Sequence, residues 1–212
     1  MAGTKVELKT ENDKFNYSVV YRLGGDFKRQ EVEIKSDMLL QGLEDATGGG
    51  KPLMTEQEMG SVLMSLANRV KAAQMEKLKK QGAENLKTGE AFLAENSGKE
   101  GVTTLPSGLQ YKVITAGTGK GPQKSDKVTV HYRGTLIDGT EFDSSYSRGE
   151  PATFGLNQVI PGWTEGVQLM NVGSKYQFVV PHELGYGERG AGGSIGPFET
   201  LIFEVELIEI KS

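Results

Sequence analysis

The first half of the chain has the spacing of apolar residues that is typical of amphipathic helices. A first helix is predicted by apolar residues three or four positions apart: Phe15, Val19, Val20, Leu23 and Phe27. After a break at residues 31–35, Ser36 is the expected N-cap of a second helix. That helix carries Met38, Leu39, Leu43 and Ala46.

A third, longer helix is predicted from Thr55 to about Asn96, because no proline interrupts this range. Thr55 and Glu58 have the spacing of a capping box. The helix then carries apolar residues alternately four and three apart, as in a coiled coil: Met59, Leu63, Leu66, Val70 and Ala73. Two arrangements fit this seam: three helices packed within one chain, or helices intertwined with a second copy. Three elements of this size make a thin core, which favours a homodimer through residues 1–70.

The following stretch, Lys71–Glu90, is rich in charged residues and is interpreted as the solvated part of the same helix. Gly82 and Gly89 each cost about 1 kcal/mol relative to alanine in a helix interior. With no packing expected to offset that cost, the sequence predicts a spacer with some bend, and domain motion at these two glycines or at Asn96–Gly101.

The second half changes to short β-rich segments separated by glycine. Alternating apolar residues predict strands at residues 109–114, 128–136, 152–155, 176–180 and 201–210. Asp138-Gly139 supplies a turn into another strand at Glu141, and a short helix is expected at residues 163–170, after Pro161. The predicted class is α+β: a helical region at 1–54, a connecting helix at 55–100, and an antiparallel sheet with one short helix at 101–212.

Composition excludes several kinds of site. The net charge of −4 gives no basic footprint for nucleic acid. The chain has no cysteine, which removes disulfides, thiol nucleophiles and Cys-based zinc sites. No apolar run is long enough to span a membrane. The first residues lack the basic and apolar regions of a signal peptide, so the chain is either cytoplasmic or the mature form of an exported protein.

Common catalytic motifs are weak. Residues 185–190 match G-x-G-x-x-G, but the glycine-rich stretch 191–197 that follows cannot form the helix that a dinucleotide site requires. His131 is expected to be a half-exposed strand residue, and neither it nor His182 has zinc-ligand spacing to further ligands. We therefore expect no metal and no cofactor.

The more informative pattern is aromatic. Six aromatic residues lie on different predicted strands and loops: Tyr132, Phe142, Phe154, Trp163, Tyr186 and Phe203. Such a set is more often a core than a site. Asp143, directly after Phe142, is less ordinary, because an acid beside apolar residues must point to solvent or be held by donors such as the Tyr132 hydroxyl.

These residues belong to segments that resemble, in order, the signature segments of FKBP-type peptidyl-prolyl cis-trans isomerases. The segments are HYRG at 131–134, DGTEFDSS at 138–145, VIPGW at 159–163, GYG at 185–187 and TLIF at 200–203. They cover about residues 105–211. Upstream, LPSGLQY at 105–111 and GEAFL at 89–93 resemble the Mip-like (macrophage infectivity potentiator) branch, which extends the resemblance over nearly the whole chain.

The resemblance implies a twisted antiparallel sheet wrapped around a short helix, with the pocket between them. It implies catalytic roles for Asp143, Tyr186 and Phe142. It places the substrate against Tyr132, Phe154, Val159, Ile160, Trp163, Ile195 and Phe203. In this scheme Trp163 is the pocket floor, the Ile160 amide and the Tyr186 hydroxyl bind substrate carbonyls, and Asp143 borders the twisted amide.

The resemblance also implies the assembly, activity, ligands and location of the protein. It indicates a V-shaped homodimer that isomerises X–Pro bonds in unfolded or partly folded polypeptides, with chaperone-like activity, and that binds macrolide inhibitors of the rapamycin type. The alternative is a folding chaperone whose pocket mainly binds proline segments. The implied location is the periplasm or the outer membrane if a signal peptide was removed. Two departures, Ala152 for an aromatic wall residue and the small residues 191–193, predict a pocket that is more open on one side.

Overall fold

The computed structural model describes residues 7–49 and 51–211. The chain divides into two compact units, one ending at Met75 and the other beginning at Glu76. The interpretation of the first six residues, and the part of the loop at Gly50, lie outside the described residues. The domain limits expected from the sequence remain a prediction.

The first unit is helical, as predicted. It contains α1 (Glu11–Arg29), α2 (Ser36–Gly48) and the first part of α3 (Glu56–Ser97). Thr10 caps α1 through a capping box with Asp13, which the sequence analysis did not notice. The expectation that Ser36 caps α2 is wrong: Lys35 occupies the N-cap position without a side-chain hydrogen bond, and Ser36 is already the first helical residue.

The capping box at the start of α3 is confirmed. The Thr55 amide donates to Glu58 Oε2 at 2.8 Å, and the Glu58 amide donates to Thr55 Oγ1 at 3.2 Å. These bonds satisfy two of the amides that a helix start leaves without intrahelical partners.

No residue of the helices in the first unit is buried within the chain. Neither α1 nor α2 contains a buried residue, and the buried residues of α3 all lie beyond Glu76. Large apolar side chains are instead well exposed, among them Phe15 (64%), Tyr21 (71%), Leu63 (64%) and Met64 (69%). The described residues therefore do not form the three-helix core within one chain that was the alternative prediction.

The second unit is built on a seven-stranded antiparallel sheet, counted over the described residues. Its strands are β1 (Val102–Thr104), β2 (Gln110–Thr115), β3 (Lys127–Leu136), β4 (Glu141–Ser144), β5 (Ala152–Gly155), β6 (Lys175–Val180) and β7 (Leu201–Lys211). Their order is β1-β2-β6-β7-β3-β4, and β5 also pairs with β3. The predicted α+β fold is confirmed; β1 and a four-residue helix, α4 (Ser145–Arg148), were not predicted.

A short helix, α5 (Pro161–Gly166), packs against this sheet. Pro161 starts it with a φ angle already suited to a helix. A Cβ on Gly166 would lie 2.7 Å from Phe178 Cε1 of β6, so the missing side chain allows the close contact. Alternate residues of β7, among them Leu201, Val205 and Leu207, are buried in this core, as the alternating pattern of the strand indicates.

The second half of α3 differs from the prediction. Its charged residues are exposed, but Gly82, Gly89 and Asn96 are buried against the sheet domain. A Cβ on Gly89 would lie 2.5 Å from Thr200 Oγ1. The interpretation of residues 71–90 as solvated, with nothing packed on Gly82 and Gly89, is therefore wrong, because from Glu76 onward one face of the helix belongs to the second unit. The bend of the helix at these glycines remains a prediction.

Over the ranges 7–49 and 51–211, none of the helices combines the length and the apolar character that crossing a membrane requires.

Candidate active site

A cavity of about 620 Å³ opens between α5, the strands β3, β4, β5 and β7, the loop before α5 and the loop that follows Tyr186. This is within the ordinary size range of small-ligand pockets. All ten residues that were predicted for the site line it. Ala191 and Gly192, which were predicted only to leave the pocket more open, line it as well, and Gln158 and Ser194 were not predicted.

The floor of the cavity is aromatic. Trp163 is 4% exposed, and its ring meets three others edge to face. Its ring centroid lies 5.2 Å from that of Tyr132, 5.6 Å from that of Phe154 and 5.4 Å from that of Phe203. Edge-to-face packing matches the charge distribution of aromatic rings and fixes their orientation. The cavity floor is therefore apolar and rigid.

The strand pairing positions the two polar side chains at the rim. Asp143 on β4 pairs with Gly134 of β3, so it is a diagonal neighbour of Tyr132, two residues earlier on β3. The Tyr132 backbone is held by the buried Ser145 hydroxyl, which accepts from the Tyr132 amide at 2.8 Å and donates to its carbonyl at 3.2 Å. Sequence analysis missed Ser145, since nothing in its spacing reveals a bond across two elements.

Asp143 is held by two donors. The Tyr132 hydroxyl donates to one of its carboxylate oxygens and Arg148 Nη1 donates to the other. Arg148 Nη2 also donates to the Tyr132 hydroxyl oxygen at 2.8 Å, which closes a three-membered network. The predicted contact of Asp143 with Tyr132 is present. Arg148 was missed, although it is the first cationic residue after Asp143 in the chain.

This network sets the charges at the rim. Burial raises the pKa of Asp143, but the hydrogen bonds from Tyr132 and Arg148 outweigh it, so the pKa lies below its ordinary value of 3.8. Burial and the hydrogen bond to Asp143 raise the pKa of Tyr132 above 10.0. At neutral pH the site therefore holds an ionised carboxylate and a neutral phenol.

Two further donors face the rim. Tyr186 follows a short 3₁₀ turn (His182–Leu184), and its side chain is 41% exposed. Burial, followed by the charge of Asp143, raises the pKa of Tyr186, which keeps its hydroxyl protonated. Ile160 is the N-cap of α5, and the described part of the chain offers its amide no hydrogen-bond acceptor.

The two departures from the family pattern occupy different places. Ala191 and Gly192 line the cavity. Ala152 is half-buried on β5, opposite Val130, and does not line it. Their effect on how open the pocket is remains a prediction. Among the described residues, no group of three or more His, Cys, Asp or Glu is placed to hold a metal ion.

Comparison with known proteins shows which family the chain resembles. A profile described as FKBP-type peptidyl-prolyl cis-trans isomerase matches residues 119–208, and the domain amino terminal to such isomerases matches residues 12–113. The outer membrane protein MIP of Legionella longbeachae is 49% identical over 100% of this chain and 91% of its own. The peptidyl-prolyl cis-trans isomerase Mip of Coxiella burnetii is 46% identical over 99% of this chain and 91% of its own.

A solved structure shows the same fold. The crystal structure of FkpA from Escherichia coli superposes with a TM-score of 0.76 at 40% sequence identity, over 97% of this chain and 99% of that one. The molecule is thus an enzyme of the peptidyl-prolyl cis-trans isomerase class. The chain belongs to the FKBP-type family, in the Mip-like branch that the sequence segments indicated.

Proposed function

We propose that this chain isomerises X–Pro bonds of protein substrates in the cavity above Trp163, with Asp143 and Tyr186 acting on the twisted amide. The observation that carries the proposal is the Asp143 carboxylate, held ionised by Tyr132 and Arg148 at the rim of an apolar floor.

The chemistry needs no nucleophile. The X–Pro bond has a rotational barrier of about 18–20 kcal/mol, because resonance gives its C–N bond partial double-bond character. Each ~1.4 kcal/mol of selective stabilisation of the twisted amide speeds rotation about tenfold. An apolar site disfavours the charge-separated planar form and lets fixed polar groups act without competition from water.

The proposed residue roles are those that the family resemblance implies, and the positions of the residues support them. The prolyl ring fits the aromatic floor formed by Trp163, with Tyr132, Phe142, Phe154 and Phe203 as walls and Val159 and Ile195 at the rim. The Ile160 amide, which has no acceptor in the described chain, is placed to bind a substrate carbonyl, and the protonated Tyr186 hydroxyl is placed to bind another. Asp143 faces the amide that rotates.

The decisive experiment replaces Asp143 with leucine, which is nearly isosteric but cannot accept a hydrogen bond. Melting temperature, affinity for a macrolide of the rapamycin type and kcat/KM on a proline peptide are measured. We expect kcat/KM to fall more than affinity does, because the acid is assigned to the transition state. Glu150→Leu, an exposed acidic residue seven positions after Asp143, is the matched control.

Two outcomes would contradict this role. An unchanged kcat/KM in a normally folded variant would remove Asp143 from the mechanism. A parallel loss of melting temperature, affinity and kcat/KM would show that the carboxylate only anchors its loop.

We further propose that residues 1–70 form a homodimer interface and that the dimer has chaperone-like activity towards unfolded chains. The exposed apolar side chains of α1, α2 and the start of α3 support this, because patches of this kind mark interaction surfaces. An aggregation-suppression assay run beside the isomerase assay separates the two activities. If the Asp143→Leu variant loses isomerisation but still suppresses aggregation, the chaperone activity does not depend on isomerisation.

The name of the Legionella relative, outer membrane protein MIP, supports a location in the cell envelope, at the outer membrane or in the periplasm. Fractionation of cells that express the natural gene tests this. Recovery of the protein in the cytoplasmic fraction alone would contradict it.

A further inference from the structure

One wall of the cavity is a short loop that contacts α3 on its other side. The loop, residues 190–198, is called here the rim loop. Ala191 and Ile195 form an antiparallel bridge within it, with backbone hydrogen bonds of 2.9 and 3.0 Å. Between them Gly192 and Gly193 have φ angles of 60° and 74°, which favour glycine. Four rim-loop residues line the cavity: Ala191, Gly192, Ser194 and Ile195.

The opposite side of the rim loop rests on one turn of α3. Asn85 Nδ2 donates to the Pro197 carbonyl oxygen at 2.8 Å. A Cβ on Gly196 would lie 2.8 Å from Gln81 Nε2 and 3.1 Å from Asn85 Nδ2. Side chains of this helix turn therefore contact the rim-loop backbone at Gly196 and Pro197, one and two residues from Ile195, which lines the cavity.

Phe198 makes the second contact. Its φ angle of 57° lies in the left-handed region, which is a costly conformation for a bulky residue. Its ring packs over Gly82: a Cβ there would lie 2.9 Å from Phe198 Cδ2 and 3.2 Å from Cε2. Strained conformations persist only where the surroundings hold them, and they concentrate at functional sites. Here the surroundings include a helix residue with no side chain.

We propose that the turn of α3 that contains Gly82 and Asn85 positions the rim loop, and so determines which residue next to proline the pocket accepts. Asn85 and Gly82 are positioning residues: they lie on the far side of the loop from the cavity. This inference rests on the assignment of the cavity as the isomerase site. It gives the second half of α3 a role in substrate selection.

The test compares kcat/KM for two peptides, one with Ala-Pro and one with Leu-Pro, in the full chain and in Asn85→Ala. A substitution that only lowers the folded fraction reduces both values equally and leaves their ratio unchanged. Loss of the Asn85 bond should change the ratio about twofold to tenfold, the kinetic equivalent of one hydrogen bond. Emission from Trp163, the single tryptophan, should shift as well, since the loop and the indole border the same cavity.

Gly82→Ala is a second, independent variant, because it pushes on Phe198 without removing a hydrogen bond. It should change the same ratio, which keeps the test decisive if Asn85→Ala does not fold. Lys87→Ala, an exposed change on the same helix, is the control and should leave ratio and emission as in the natural chain.

An active natural chain whose Asn85→Ala and Gly82→Ala variants keep the natural ratio and emission would overturn this inference and leave the proposed function intact. A natural chain inactive on both peptides would overturn the assignment of the cavity, and this inference with it.

Discussion

The Arg148 guanidinium lies against the Tyr132 phenol. Nη2 donates to the phenolic oxygen at 2.8 Å, and the guanidinium carbon is 5.5 Å from the ring centroid. With that oxygen occupied as an acceptor, the phenolic proton is directed to Asp143. A residue of α4 outside the cavity thus orders the two polar groups at its rim.

Replacing Arg148 with alanine should therefore lower kcat/KM without removing any wall of the pocket. Arg148 donates two hydrogen bonds to this network, both partly exposed to solvent. We expect a decrease of about threefold to tenfold, with a smaller change in inhibitor affinity. Arg133→Ala is the matched control. Arg133 Nε lies 2.7 Å from Glu141 Oε2, and neither residue lines the cavity. Equal losses in the two variants would show a general effect of lost charge.

The lowered pKa of Asp143 predicts an acid-dependent part of the stability. A group whose pKa is lower in the folded state stabilises the fold above its unfolded pKa, here about 3.8, and loses that contribution as pH falls through the folded value. Asp143→Asn should therefore reduce the free energy of unfolding at pH 6. The reduction should be at most about 1 kcal/mol, because the side chain is 43% exposed.

The difference between Asp143→Asn and the natural chain should shrink as pH falls below about 4. Denaturant unfolding at a series of pH values measures it. A difference that stays constant down to pH 2.5 would show that the asparagine acts through packing rather than through ionisation. Glu150→Gln, at an exposed position, should track the natural chain throughout.

Gly89 should tolerate alanine less well than an exposed helical glycine does. Alanine gains about 1 kcal/mol of helix propensity, but its Cβ would lie 2.5 Å from Oγ1 of the buried Thr200. Overpacking costs about 1–3 kcal/mol, so we expect a net loss of stability. Gly60→Ala, with nothing within 4 Å, should stabilise the helix instead.

A double substitution tests the cause of that loss. Adding Thr200→Ala to Gly89→Ala removes the atom in conflict, so the two changes should couple favourably in thermal unfolding. Purely additive effects would mean that Gly89 is not limited by Thr200.

The homodimer proposal predicts about twice the 23.0 kDa chain mass by light scattering at micromolar concentration. A monomer under these conditions would contradict it. Removal of residues 1–75 should leave a folded monomer that still isomerises short peptides, because the cavity and the packed part of α3 both lie in the second unit.

Removing residues 1–100 should be more harmful than removing residues 1–75. The shorter chain loses Asn96, whose amide donates to Gln110 Oε1 at 2.8 Å, together with the contacts of Gly82 and Gly89. We expect a lower melting temperature. Equal melting temperatures for the two truncated chains would show that the helix adds nothing to the domain.

Much of the architecture could be predicted from local pattern. The helical spacing of α1 and α2, the Thr55–Glu58 capping box and the alternation along β3 and β7 are determined by residues close in sequence, so short-range physics was sufficient. The ten site residues came from resemblance, because their aromatic composition alone fits a core as well as a pocket.

Tertiary structure decided what depends on contacts between distant residues. The charge along residues 71–90 indicates a solvated helix. In the structure, however, Phe198 packs on Gly82 and Thr200 packs on Gly89, the two glycines at which a bend was predicted. Arg148 becomes part of the site only because α4 turns it back onto Tyr132, sixteen residues earlier. A glycine that allows close packing and a hydrogen bond between distant residues leave no periodic signal in the sequence. Their roles depend on which residues the fold brings next to them.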